Sequence, residues 1–178
     1  MKTLTALPIN YQLPTINFFA VIEIERKFLL KDSMWRKSVH RSVRMEQGYL
    51  SGTRGKASVR IRIEGRGARL NIKTAVVGMK RAEFDYAVPP ADARGLMKLA
   101  TGRVRKVRHY VRFGGLLWEV DEFQGANAGL VVAEVELKSE RQRIARPPWL
   151  GREVTREHRY YNHALALRPY STWKRAKD

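Results

Sequence analysis

The sequence predicts an α+β protein built on an eight-stranded antiparallel β-sheet that closes or nearly closes into a barrel, with a few helices packed outside. Alternating apolar and polar runs recur along most of the chain, the mark of extended strands. Glycine-rich turns separate them at short intervals, which favours antiparallel neighbours. Like charges spaced by two recur on strand after strand. That spacing puts them on one face of a sheet and leaves apolar residues to the other.

The first strand, "VIEIERKFLL" (21–30), sets Glu23, Glu25 and Lys27 on one face and Ile22, Ile24 and Phe28 on the other. Strands at 42–50 and 57–64 flank the turn "SGTRG" (51–55), and "EGRG" (64–67) leads into strands at 69–75 and 81–88. "PPADARGLMKLATG" (89–102) opens on prolines and closes on glycine, which suits a short crossover helix. Strands at 103–113 and 116–124 meet at "GG" (114–115), a tight hairpin, and a last strand spans 130–138. "SERQRIA" (139–145) reads as a second short helix and "EVTREHRYYNHALAL" (153–167) as a third, with Thr155 as its N-cap. Residues 1–20, broken by Pro8 and Pro14, are expected to be a leader outside the fold. Residues 21–168 form one domain in this reading, and 169–178 a basic tail.

With 44% apolar and 29% charged residues in 178, the composition fits one globular domain with its own core. A net charge of +18 makes a field that attracts polyanions without choosing among nucleic acid, polyphosphate and phosphorylated metabolites. The chain has no cysteine, which excludes disulfides and thiolate metal sites and accords with a cytoplasmic setting. No apolar run reaches the roughly 20 residues that span a bilayer, so no membrane partner is expected.

The paired charges carry the chemistry. Arg60 and Arg62 in "VRIRI", Lys106 and Arg108 in "RKVRHY", Glu119 and Asp121 in "WEVDEF", and Glu134 and Glu136 in "VAEVEL" each share a face. Glu83 and Asp85 pair likewise, and Lys73 adds another cation. A polar face turned to water accounts for any one strand. It accounts poorly for the set, because side-by-side like charges repel and eight of the seventeen acidic residues fall in these pairs. A binder of polyanions alone gains nothing from clustered carboxylates; one that binds a polyanion together with divalent cations needs both. Turned inward, Lys27, Arg60, Arg62, Lys73, Lys106 and Arg108 would grip phosphate oxygens. Glu23, Glu25, Glu83, Asp121, Glu134 and Glu136 would hold Mg²⁺ or Mn²⁺, hard ions that take oxygen ligands and share them with phosphates.

At these residues the chain resembles the CYTH, or triphosphate tunnel metalloenzyme, family. "EIERK" matches its ExExK signature, followed in family order by "QGYL", "VRIR", "NIK", "RAEFDY", "KVR", "WEVDEF", "GLVVAEVEL" and "RYYNHALA". The resemblance covers roughly 21–168 and is strongest to the short bacterial branch. It implies a metal-dependent triphosphatase that cleaves inorganic tripolyphosphate to pyrophosphate and phosphate. It also implies that Tyr49, in "QGYL", accepts a proton; a lumen crowded with arginine and lysine would favour the phenolate and lower its pKa from ~10. A phenol that only hydrogen-bonds or packs, and a metal-bound water needing no protein base, are the alternatives. Asp85 stands where the family usually has Glu.

Related activities of the same family, adenylate cyclase or thiamine or nucleoside triphosphatase, are alternatives, as is a non-catalytic binder of polyphosphate or RNA. A small-molecule triphosphate is the expected partner, with nucleic acid not required. His40, His109, His158 and His163 lack a compact ligand spacing and are read as structural or surface residues. Trp118 and Trp149 are read as core.

Overall fold

Alternation carries through to the architecture in the computed structural model, which describes residues 21–50, 57–74 and 80–173. The order is β1 (Val21–Leu30), β2 (Val39–Tyr49), β3 (Ala57–Glu64), β4 (Gly67–Thr74), β5 (Lys80–Ala87), α1 (Pro90–Lys98), β6 (Gly102–Phe113), β7 (Leu116–Gln124), β8 (Val131–Glu136), β9 (Leu150–Glu153) and α2 (Asn162–Leu167). A 3₁₀ turn at Met34–Ser38 precedes β2. The result is an α+β fold, mostly one antiparallel sheet in the order β5-β4-β3-β2-β6-β7-β8-β1-β9. β1 pairs with β8 through Glu25↔Glu136 to Leu29↔Val132, and its first residues pair also with β5 through Val21↔Glu83 to Ile24↔Lys80. The β6–β7 hairpin turns on Gly114 and Gly115 at φ 58° and 75°. Positive φ at both central residues suits the right-handed twist of the flanking strands and is costly for other side chains.

Directly opposed residues share a face. Lys27↔Glu134 and Glu134↔Glu119 therefore lie on the same side of the sheet as Arg108↔Asp121, Tyr49↔Arg60 and Lys73↔Glu83. The opposite side is apolar. Phe28, Trp118, Val120 and Val135 pack there with Trp35 of the 3₁₀ turn and with Trp149 and Leu150 near β9. α1 covers the neighbouring strands, where Ala93 and Met97 meet Ile61 and Ala68. One 3₁₀ turn and the extended segment around Trp149 thus do much of the covering expected of helices.

The charged side turns apolar at one end. Val104, Phe123 and Val132 continue it there and pack against Tyr160 and Leu165, which brings α2 over that end. Gly102 makes the approach possible, since a Cβ would stand 2.8 Å from the Ala166 carbonyl oxygen.

Three expectations are corrected. Residues 139–145 form no helix but a single turn, in which Gln142 N–H donates to the Ser139 carbonyl (3.1 Å) and Lys138 N–H donates to Gln142 Oε1 (2.7 Å). Side-chain competition for backbone groups and the prolines just ahead both oppose helix there. Residues 153–167 are α-helical only from Asn162, after a 3₁₀ turn at His158–Tyr160, and the stretch begins instead by finishing β9, a ninth strand that sequence periodicity did not reveal. Thr155 caps no helix. It is buried, its Oγ1 accepts Lys27 N–H (3.0 Å), and it donates to Glu153 Oε1 (2.7 Å). Val154 N–H donates to the Lys27 carbonyl (2.8 Å), so β1 takes the groups that would have started a helix. Within the expected tail, Tyr170 N–H donates to Asn127 Oδ1 (2.7 Å), and Trp173 stacks edge-on against Tyr160 at 5.2 Å. The leader, the turn at 51–55 and residues 174–178 lie outside the described residues.

Candidate active site

The period-two charges converge in pairs of opposite sign. Lys27 is almost fully buried and touches both Glu134 and Glu25, the latter at 3.2 Å. Lys73 bridges Glu23 (2.5 Å) and Glu83 (3.3 Å). Arg108 donates through Nε and Nη2 to the two Asp121 oxygens, both at 2.7 Å, through Nη2 to Glu134 (3.0 Å), and through Nη1 to Glu119. Lys106 also reaches Asp121, and both side chains are 0% exposed.

Electrostatics follow from these contacts. Burial pushes the Glu134 carboxyl up, but Lys27, Arg108 and Lys106 together outweigh it and hold it well below the usual carboxylate range. Burial opposes the Arg108 charge, and Asp121, Glu119 and Glu134 more than restore it. Lys106 goes the other way. Burial, with repulsion from Arg108, lowers its ammonium to about 8 despite Asp121.

Arg60 and Arg62 stand apart from this mutual neutralisation. Their Nε atoms are buried without hydrogen-bond partners, and the nearest carboxylate to Arg62 Nε is Glu64 at 3.8 Å. Burial first and then Arg60 lower the Arg62 guanidinium from its ordinary value. Gln47 Oε1 and Asn71 Oδ1 on the same face are likewise buried and unbonded. Unsatisfied buried donors are costly, and a cationic pair of them could take an anion.

Tyr49 lies beside Arg60 and is 2% exposed, its ring 4.9 Å from that of His163. Burial pushes its phenol above the ordinary value, and this outweighs Arg60 and Lys27. The expectation that neighbouring cations lower this pKa is therefore corrected: desolvation wins over attraction at this depth.

Glu136 is the most open of the expected ligands. Burial and then the charges of Glu23, Glu119 and Glu83 raise its carboxyl, so these four side chains feel one another. Among the described residues no three His, Asp or Glu side chains are grouped tightly enough to hold an ion as they stand. The donor chemistry nonetheless fits a hard divalent cation, because the converging groups are all carboxylates and several are turned toward lysines that a metal would replace.

The expected residues thus share one face. Glu119 was visible as the period-two partner of Asp121, and the structure adds it to the carboxylate set. Gln47 and Asn71 carried no charge to flag them, although their spacing from Tyr49 and Lys73 puts them on the same face. Asp85 pairs with Arg69 at 2.5 Å. His109 lies on the opposite side of the sheet, its Nδ1 2.8 Å from Ser42 Oγ and its ring 5.0 Å from that of Trp35.

Comparison with known proteins points one way. Residues 21–169 match the model of the CYTH domain. An inorganic triphosphatase of Acetivibrio thermocellus is 38% identical over 154 residues, which covers 85% of this chain and 97% of that protein. An inorganic triphosphatase of Nitrosomonas europaea is 35% identical over 149 residues, 82% of this chain and 97% of that one. A solved structure of an inorganic triphosphatase aligns with a TM-score of 0.59 and 34% identity, covering 82% of this chain and 94% of its own. A protein from Pyrococcus horikoshii, 16% identical with a TM-score of 0.53 over 66% of this chain and 79% of its own, shares the fold.

Proposed function

We propose, from the premise that this chain belongs to the CYTH domain family, that it hydrolyses inorganic tripolyphosphate to pyrophosphate and phosphate with the help of a divalent cation. The observation that carries this reading is the division of one sheet face. Arg60 and Arg62 keep buried Nε atoms without a hydrogen-bond partner among the described residues, with Glu64 at 3.8 Å from Arg62 Nε, while the charges of Glu23, Glu119 and Glu83 act on Glu136 nearby. A tunnel enclosing this face is supported by β1, which pairs with β8 and β5 and so links the first and eighth strands of the sheet order.

In this mechanism Arg60 and Arg62 bind and orient the phosphate chain, and Lys27 and Lys73, which lie against Glu25, Glu134, Glu23 and Glu83, add positive charge beside it. Glu23, Glu25, Glu83 and Glu136 would hold Mg²⁺ or Mn²⁺, which would neutralise charge on the phosphate oxygens and help orient water for in-line attack. Tyr49 acts as a neutral phenol that holds Arg60. The apolar end under α2 excludes water from the inner wall beside Lys106. No helix of the described residues is long and apolar enough to cross a membrane. The absence of cysteine supports a cytoplasmic setting.

Phosphate release from tripolyphosphate, ATP, thiamine triphosphate and long polyphosphate, each with Mg²⁺ and with Mn²⁺, tests the reading. Metal-dependent release, fastest from tripolyphosphate, is expected. Anion binding with no phosphate release under any condition would leave only a binding protein.

A further inference from the structure

His163 has no spacing in the sequence that marks it as functional, yet it lies against the site. Tyr49 stands directly across the β2–β6 ladder from Gly102. Gly102 is where α2 meets the sheet, since a Cβ there would stand 2.8 Å from the Ala166 carbonyl oxygen. One helical turn earlier on α2, the His163 ring meets the Tyr49 ring edge-on, with centroids 4.9 Å apart and planes at 61°. His163 Nε2 is buried, and Tyr49 is 2% exposed. The Tyr49 backbone is held as well: its carbonyl accepts Thr101 N–H at 2.9 Å and the Thr101 hydroxyl at 3.2 Å. Tyr161, two residues before His163, backs the neighbouring Lys27, with its ring 5.7 Å from Lys27 Nζ and its hydroxyl donated to the Thr155 carbonyl at 2.8 Å.

We propose that His163 is a positioning residue: through the Tyr49 ring it fixes the phenol against Arg60, and so sets the guanidinium that grips the phosphate chain. This rests on the triphosphatase reading and gives α2 a part in it. Tyr49 and Arg60 are directly opposed on β2 and β3, which brings phenol and guanidinium together. With its carbonyl tied to Thr101, Tyr49 keeps only the two torsions of its side chain. A ring lodged edge-on limits both. The face of an aromatic ring is negative and its edge positive, so the contact prefers one orientation and does more than fill space. Arg60 Nε finds no acceptor among the described residues, which leaves the phenol as a main guide to where its guanidinium points. His163 therefore acts through Tyr49 and not on the substrate.

The test uses tripolyphosphate kinetics in the full-length protein. The KM is expected to rise about threefold to tenfold in His163→Ala, with kcat changed less than about twofold, because an edge-to-face pair contributes a factor of that size. His163→Phe keeps a ring in place and should stay within about twofold of the wild-type KM. In a Tyr49→Phe background, His163→Ala should shift KM less than about twofold, since the hydroxyl that carries the effect to Arg60 is gone. Equal KM rises in both backgrounds would mean only a loosened α2 and overturn the proposal, as would an unchanged KM in His163→Ala. Should His163→Ala fail to fold, the wild type decides: ring ¹³C signals of its histidines are followed as tripolyphosphate is added without metal. Those of His163 are expected to move and those of His109, on the opposite side of the sheet, to stay; an unmoved His163 at saturation overturns the proposal. Wild-type protein that neither binds nor cleaves tripolyphosphate would sink the functional reading itself, whereas binding and turnover with an unmoved His163 would sink this assignment alone.

Discussion

Arg60 and Arg62 stand two residues apart on one face of β3, and each has a buried Nε that no acceptor among the described residues satisfies. Two adjacent guanidinium groups repel each other, as the lowered Arg62 group shows, and a bound anion would relieve both. Arg60→Ala should raise the KM for tripolyphosphate about 30-fold or more, since a charge-assisted hydrogen bond is worth about 2–3 kcal/mol. The rise should appear with Mg²⁺ and Mn²⁺ alike. Steady-state kinetics with both metals checks it, and an effect confined to one metal would count against a phosphate-gripping role.

Glu136 makes the complementary case. Its raised carboxyl pKa, caused by burial and by Glu23, Glu119 and Glu83, means that the metal-free fold takes up a proton more readily than the unfolded chain does. The Glu136 contribution to stability should therefore rise as pH falls from that raised value toward the unfolded glutamate value near ~4.3, read as the wild-type melting temperature minus that of Glu136→Gln. Glu136→Gln should lack this rise, and saturating Mg²⁺ should remove it from the wild type. Melting temperatures with and without Mg²⁺ across this range test both. Phosphate release by the variant should drop about 100-fold, the loss expected when a group acting on the transition state is removed.

Lys106 predicts an effect at the alkaline end. Its ammonium titrates near about 8 in the fold, against ~10.4 in an unfolded chain. Below about 8 both states carry the proton, and the fold bears the full cost of burying that charge. Between about 8 and ~10.4 the folded protein has shed the proton while the unfolded chain keeps it, so this contribution moves toward greater stability as pH rises. The wild-type melting temperature minus that of Lys106→Met should therefore climb over this window. A flat difference would mean that Asp121 holds the proton on Lys106.

Tyr49→Phe separates two roles for the phenol. Because burial raises the Tyr49 pKa, the neutral form should prevail throughout the neutral range. The variant should keep an unchanged pH profile and lose less than about tenfold in kcat, as for a positioning hydrogen bond. A loss of about 100-fold or more, together with loss of a basic limb in the profile, would restore Tyr49 to the part of proton acceptor.

Gly102→Ala tests the seat of α2. The added methyl would meet the Ala166 carbonyl oxygen at 2.8 Å, and backbone cannot yield as a flexible side chain can. Overpacking of this kind costs about 1–3 kcal/mol, which for a domain of this size lowers the melting temperature by about 2–4 °C per kcal/mol. Thermal denaturation measures it.

Much of this was legible along the chain. Period two placed Glu23, Glu25 and Lys27 together, as it did Arg60 with Arg62 and Lys106 with Arg108; that these cations share a face with the carboxylates was a further expectation, and the cross-strand register puts them on one side of the sheet. Strand limits came within a few residues because alternation and glycine turns are local signals. Where local signals competed, the reading failed. Residues 153–161 look helical in isolation, yet β1 captures their backbone through Val154 and Thr155.

What the sequence by itself determined is which charged residues share a face within each strand, because side-chain alternation is a property of the extended backbone. Only the tertiary structure decided how those charges are used. Lys27 meets Glu134 across 107 positions of sequence, Asp121 vanishes between Lys106 and Arg108, and Arg60 keeps a buried Nε unbonded. Pairing and depth depend on strand register and on the segments that cover each end. Those are contacts between distant parts of the chain, and no local period encodes them.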